Sequence, residues 1–391
     1  MQKKDSIWSR DFIVVIVVNS LLYLGAFMNT PMVAAYHLEL GFSATRSGTI
    51  IGTFAFAALL SRFFVGIVSD RMDRRKLFGI AMIIQVLCYV VYGYVTSEAL
   101  LMLIRIVHGS SMALANTSIT AYSTSFVPQD KMGEGMGYII ITTAVVGAVG
   151  LSIGMEVPKH ISPRMSLLVP AAILVVVGVW SYFLKDEGDR RVIVTEKRRL
   201  KLSEIVAPEA MGYAMTIIPV IFAVSSLSTF LSEFGESRGI AGISIFYLVQ
   251  AVAALIVRIL TGKIYDRHGL NAIMIPSLVI MSAGMFIVAK TYSMPLLLVA
   301  SVFTCFGQAV AQPSLQTACV QRTGVHRSGV ASSTFYIGID IGYMIGPILT
   351  GKIIDTKGFG TAYNLMGILL AVVTVALIAG IIFRKKKEQK T

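Results

Sequence analysis

Apolar runs of about 20 residues recur along this whole 391-residue sequence, and that is the length needed to cross the hydrocarbon core of a bilayer. Twelve such runs can be placed. Six lie at roughly 12–36, 46–69, 77–95, 99–122, 132–156 and 165–184, and six more at 210–233, 240–264, 271–289, 293–318, 328–354 and 361–383. Each must satisfy its backbone polar groups internally, so each is predicted to be a helix. Charged residues make up only 14% of the chain, where a soluble domain carries about 25%. The predicted fold class is therefore an all-α membrane protein of twelve transmembrane helices, and short loops make consecutive helices antiparallel neighbours.

The formal net charge of +13 would raise nucleic acid as a partner in a soluble protein. Here the basic residues lie mostly in loops, so an orientation signal is the better reading and no nucleic acid is expected. With both termini in the cytoplasm, inner segments hold 23 of the 34 Lys and Arg residues and outer loops hold 7. That asymmetry predicts cytoplasmic termini. The most polar loop, 185–209, reads as a cytoplasmic linker between a bundle at 1–184 and a second bundle with a basic tail at 210–391. Cys88, Cys305 and Cys319 all fall in apolar runs without metal or disulfide spacing, and read as small interior residues. The first apolar run lacks a small-residue cleavage site and reads as a retained span. The expected location is the cell membrane of a bacterium, with lipids as neighbours and a monomeric chain.

The two halves repeat. At an offset of 196 residues, Arg62, Gly66, Asp70 and Arg71 fall on Arg258, Gly262, Asp266 and Arg267. Gly133 and Gly150 fall on Gly329 and Gly346. Parallel six-span repeats imply two bundles related by an axis along the membrane normal, with a site between them near the midplane.

On these residues the sequence resembles the major facilitator superfamily. Gly66-x3-Asp70-Arg71-x2-Arg74-Arg75-Lys76 is similar to that family's pattern between spans two and three. Arg105-x3-Gly109 resembles the span-four pattern of its drug/proton antiporter branch. Gly342-x3-Gly346-Pro347-x3-Gly351 resembles the glycine-proline pattern that the branch carries in span five. The resemblance implies a gate latch at Asp70, Arg71, Arg74, Asp266 and Arg267, with each carboxylate meeting a positive helix N-terminus in the opposite half. It also implies a proton-coupling role for Arg105. Two positions depart from the pattern. Asp73 stands where the family has glycine, and is expected to tolerate a left-handed backbone. Leu151 stands where the antiporter pattern has proline, which weighs against export.

Charge inside a membrane costs roughly 2.5–3.5 kcal/mol on insertion scales and usually faces a cavity or a partner. Asp340 is twelve residues into span eleven, about 18 Å deep at the α-helical rise. It is the proton-carrier candidate, sharing a helix face with Tyr336 and Tyr343; the competing reading is a permanently ionised Asp locked to an Arg. Arg105 and His108 lie about 9 and 14 Å into span four. Interhelical glue is the competing reading of Arg105, and a packed polar residue that of His108. Arg62 and Arg258 are further intramembrane charges, about two turns from the inner face; snorkelling to the surface is the plain reading of both. For substrate, Gln308 and Gln312 begin a four-residue stripe continued by Gln316, with Asn19, Tyr23 and Asn116 as amides and hydroxyl in the first half. Cavity lining and helix–helix hydrogen bonding both fit such groups. The glycines of spans five and eleven are expected to form moving contacts between the halves.

No nucleotide-binding loop, metal-ligand spacing or nucleophile arrangement occurs, so neither an enzyme nor an ATP-driven pump is expected. The expectation is a secondary active transporter with no cofactor, using the proton gradient to export a small amphipathic or drug-like molecule. Transport of a polar metabolite (a sugar, an amino-acid derivative or a metallophore) is the alternative. A transporter-like receptor or scaffold without flux is a third reading.

Overall fold

The computed structural model describes residues 8–124, 132–182, 206–323 and 328–388, and among these every regular element is a helix. In chain order they are α1 (Arg10–Glu39), α2 (Ala44–Arg71), α3 (Arg74–Tyr92), α4 (Glu98–Thr124), α5 (Met132–His160), the single turn α6 (Pro163–Ser166) and α7 (Leu168–Tyr182). A 3₁₀ turn, Pro208–Ala210, leads into α8 (Met211–Ser237), α9 (Ile245–His268), α10 (Leu270–Lys290), α11 (Met294–Phe306), a π segment (Gly307–Ala311), α12 (Gln312–Thr323) and α13 (Ser328–Glu388). Among the described residues, eight helices or continuous helical stretches are long and apolar enough to cross a membrane. α13 covers two predicted spans, with a break at Gly358 (φ 77°, ψ 168°) between them.

The chain forms two units. One comprises Met1–Gly41 and Thr53–Arg199, the other Phe42–Gly52 and Leu200–Thr391, so the first turns of α2 group with the second unit. Most of the predicted linker, 185–209, lies outside the described residues.

Helix faces in the first unit are inverted relative to a soluble protein. In α3 the outward positions are Ile80, Ile83, Leu87, Val90 and Val91. The inward ones include Gln85, Cys88, Tyr89 and Tyr92 beside Leu77, Phe78, Ala81 and Met82. Lipid solvates the apolar face, while the few polar groups turn inward, where Cys88 and Tyr89 donate to the Ile104 and Gly25 carbonyls. The core joins Val15, Val18 and Leu22 of α1 with Phe78 and Met82 of α3, Met112 and Ile119 of α4, and Leu174 and Val177 of α7. All three cysteines are buried and free.

The glycine seams correct one expectation. Gly147, Gly150 and Gly154 of α5 meet Phe27, Leu24 and Met28 of α1, inside the first unit. Gly338, Gly342 and Gly346 of α13 meet Ala214, Ile221 and Ser225 of α8, inside the second. These six glycines are thus internal seams of each unit, where a missing Cβ lets backbones approach closely, whereas Gly351 of α13 meets Ala44 of α2, a first-half residue that groups with the second unit. The same interface is built twice, since Gly150 and Gly346 hold repeat-related places.

The turn after the second span also differs from expectation. Asp73 is extended (φ −61°, ψ 114°), not left-handed, and caps α3 by accepting bonds from the Arg75 and Lys76 amides at 2.9 and 3.3 Å. Its counterpart, Gly269, takes φ 76° and ψ −179°, a conformation essentially restricted to glycine. One copy solves the turn with a side-chain cap and the other with backbone freedom.

Candidate functional site

The first unit buries a cation. Arg105 is 1% exposed, and its guanidinium carbon sits 5.5 Å from the Phe54 ring centroid and 5.3 Å from that of Tyr92. Its Nε and Nη2 atoms have no hydrogen-bond partner, and Arg105 makes no ion pair with a described residue. Stacking on aromatic faces is what stabilises the charge here. One turn on, His108 is held edge-on between Phe54 (5.1 Å) and Tyr89 (4.8 Å). Tyr89 in turn donates to the Gly25 carbonyl at 3.2 Å. α4 can press this close to α2 because Gly109 lies against the Phe54 carbonyl. Arg105 and His108 are therefore brought together, inside an aromatic cage within the unit.

The amides of the first half separate. Asn19 is 2% exposed and donates to the Thr143 hydroxyl at 3.1 Å, an α1–α5 hydrogen bond. Tyr23 is half-buried with its ring 6.1 Å from Phe27. Asn116 is half-buried, and its Oδ1 is buried without a partner. Arg62 and Arg258 are both half-buried at repeat-related positions. Of the expected latch, Arg74 is half-buried and Arg267 is exposed. The side chains of Asp70, Arg71 and Asp266 lie outside the described residues.

The second unit buries an acid. Asp340 is 6% exposed, and its charge acts on Tyr343, whose hydroxyl is hydrogen-bonded by Gln308. Tyr336, one turn below, is half-buried, as is Gln312. Gln308 sits in the π segment, where the Gln312 amide reaches back to the Gly307 carbonyl. The tenth predicted span is therefore not one regular helix. Pro313 has no N–H to offer the Ala309 carbonyl and its ring crowds that carbonyl, so the helix widens just before it. Gly307 and Pro313 were the sequence signal for this irregularity.

Two acidic residues escaped the sequence reading. The carboxylate of Asp355 accepts from the Ala44 amide at 3.0 Å and the Thr45 amide at 2.8 Å, both within the second unit. α2 has no acid in its own first turn, so a residue 311 positions away supplies the negative charge its N-terminus favours. Asp355 lies between the two spans of α13. Partial burial pushes its carboxyl up, but bonds from Thr45, Ser43 and Ala44 outweigh this and hold it below the ordinary value. Glu233, on the last turn of α8, is half-buried and lies within electrostatic range of Glu236 and Asp355. Among the described residues, no group of three or more His, Cys, Asp or Glu is placed to hold a metal.

Among the described residues, long apolar helices bury a few charged side chains, the arrangement of a protein that works within a membrane. The sequence profile of the Major Facilitator Superfamily matches residues 15–336 and 243–391. The chain belongs to that superfamily, as a multi-pass protein of the cell membrane handling small molecules. It is 21% identical to the staphylopine export protein of Staphylococcus aureus over 86% of this chain and 87% of that one. It is also 21% identical to the quinolone resistance protein NorA of the same species, over 94% and 96%. A crystal structure of the nucleoside transporter NupG shares the fold, with a TM-score of 0.76 over 95% of this chain and 99% of that chain at 14% identity.

Proposed function

We propose that this protein is a proton-coupled secondary transporter that exports small amphipathic or drug-like molecules by alternating access, with Asp340 as the proton carrier. The observation that carries the reading is Asp340 itself: an acid 6% exposed in a membrane helix, in company with a tyrosine and a glutamine. A carboxyl in that position gains and loses its proton with changes in access, because burial disfavours the charged form. Two efflux proteins among the relatives support the direction of transport. In this reading twelve spans form two six-helix bundles, 1–184 and 210–391, joined by 185–209, with both termini cytoplasmic and a monomeric chain. Arg105 takes part in coupling, with His108 in its wall. Asp70, Arg71, Arg74, Asp266 and Arg267 control the inner gate. Asn19, Tyr23, Asn116, Gln308, Gln312 and Tyr336 are the candidates for meeting substrate.

Export of a polar, acid-bearing metabolite is the second reading. Arg105, a buried cation with two unpartnered N–H groups, favours it, as does similarity to a staphylopine exporter. Proteoliposomes with an imposed pH gradient separate the two. Gradient-driven accumulation of amphipathic dyes such as ethidium, lost in Asp340→Asn, is the expected result. Accumulation of polar acids alone removes the drug-efflux reading, and proton dependence unchanged in Asp340→Asn removes Asp340 as carrier.

A further inference from the structure

Asp340 needs a route to bulk protons, and the second unit holds a line of ionisable groups that ends on it. Tyr343, three residues along α13 and hydrogen-bonded by Gln308, feels the Asp340 charge. Tyr247, on the first turn of α9, lies within electrostatic range of Tyr343. Tyr363, on α13 beyond the Gly358 break, lies within range of both Tyr247 and Glu233. The Phe234 ring, next to Glu233 on α8, meets the Tyr363 ring edge-on at 5.3 Å and fixes that end of the line. Glu233 has Glu236 and Asp355 as its remaining charged neighbours.

The central hydroxyls are what single this line out. Tyr247 is 3% exposed, Tyr363 is 0% exposed, and neither hydroxyl has a protein hydrogen-bond partner. Burying an unsatisfied hydroxyl costs about 1–3 kcal/mol. Phenylalanine would fill the same volume without that cost, as Phe230, Phe234 and Phe246 do nearby. A hydroxyl in such a place fits a buried water molecule as its partner, and a water there is able to pass a proton.

We infer that Glu233, Tyr363, Tyr247 and Tyr343 form a proton file between the end of α8 and Asp340. Glu233 takes a proton from bulk solvent and passes it on. Each tyrosine accepts a proton at its oxygen, through water where the gap requires it, and gives up its own to the next group. Each hydroxyl ends as it began, and the net transfer is one proton onto the Asp340 carboxylate. The topology proposed above places the Glu233 end outside, where the gradient supplies protons. The inference rests on Asp340 being the carrier.

Time-resolved infrared spectroscopy of the purified full-length protein in liposomes tests it without knowledge of the substrate. After a downward pH jump outside, protonated Asp340 is read from the carboxyl band that Asp340→Asn removes. Glu233→Gln, Tyr247→Phe and Tyr363→Phe should each slow the rise of that band about a hundredfold, the low end of what a positioned proton-transfer group contributes. The final amplitude should stay at the native value and the melting temperature at or above it, since the tyrosine variants shed an unsatisfied hydroxyl. The absence of any band removed by Asp340→Asn overturns the carrier reading itself. A native rate in all three variants overturns the file and leaves the carrier standing. So does slowing accompanied by lower melting temperature and lower amplitude, which marks a structural role.

Discussion

The two units share one scaffold and bury opposite charges. In the first, Arg105 is enclosed by Phe54, Tyr92 and the ring pair around His108, without a described carboxylate. In the second, Asp340 lies beside Tyr343 and Gln308, on a helix distorted nearby by a π segment. One glycine seam is the same in both units, since Gly150 against α1 and Gly346 against α8 are repeat mates. The difference teaches that the repeated glycines are packing positions, while the buried charges Arg105 and Asp340 sit where the repeat is broken.

The largest effect on this comparison should come from breaking a seam. Gly346→Val places side-chain atoms against the Phe222 backbone and Ser225. A loss of about 3 kcal/mol or more is expected, seen as a much lower melting temperature in detergent. Gly212→Ala, with open space around its Cβ position, should melt like the native protein. Equal effects would show that the seam is not the close contact described.

The two buried charges come next. Arg105→Met removes a cation that is stacked but has no ion pair with a described residue, and with it a burial penalty of several kcal/mol, without leaving a described carboxylate unpaired. The expected outcome is a melting temperature equal to or above native, together with impaired gradient-driven transport. A marked loss of stability would mean that the guanidinium is held by more than its rings.

A smaller contrast lies in the turns. Gly269→Ala forces a side chain into a backbone region nearly closed to it, at a cost of about 1–3 kcal/mol. Asp73→Ala loses an N-cap worth about 1 kcal/mol. Chemical unfolding of the two variants ranks them, and the reverse order would undo the distinction between the copies.

The mildest change is at Asp355. Asp355→Asn keeps the shape but removes the charge facing the α2 N-terminus, worth a few tenths of a kcal/mol to about 1 kcal/mol. Hydrogen exchange at the Ala44 and Thr45 amides should quicken. The carboxyl is held below its ordinary value, so its stabilising effect is present above the unfolded-state pKa and fades as pH falls through the folded one. Acid should therefore lower the protection of these amides, their exchange rate relative to the unstructured chain at the same pH, in the native protein and leave that of Asp355→Asn little changed.

Helix positions were open to reading from the sequence to within a few residues, because a membrane span depends on a local property, a run of apolar side chains long enough to satisfy its own backbone. Asp340, Arg105 and His108 were found in the same way, as charges or imidazoles interrupting such runs. The π segment was missed, although Gly307 and Pro313 were in view, because the hydropathy of span ten continues across it. Asp73 was taken for a left-handed residue, but the residue three before Lys76 is also a capping position, and the cap prevailed.

What lay out of reach was decided by distance along the chain. Asp355 finds its partners 311 and 310 residues away, and Glu233 finds Tyr363 on a helix that has turned back at Gly358. By itself the sequence determined that this is a chain of lipid-bathed helices in two related halves, since hydropathy and repetition act locally. Only the tertiary structure decided which face of each helix turns inward, that the glycines seam each unit internally, and that Tyr363 comes within electrostatic range of Tyr247 and Glu233. Those outcomes follow from side-chain packing between helices, which no local pattern encodes.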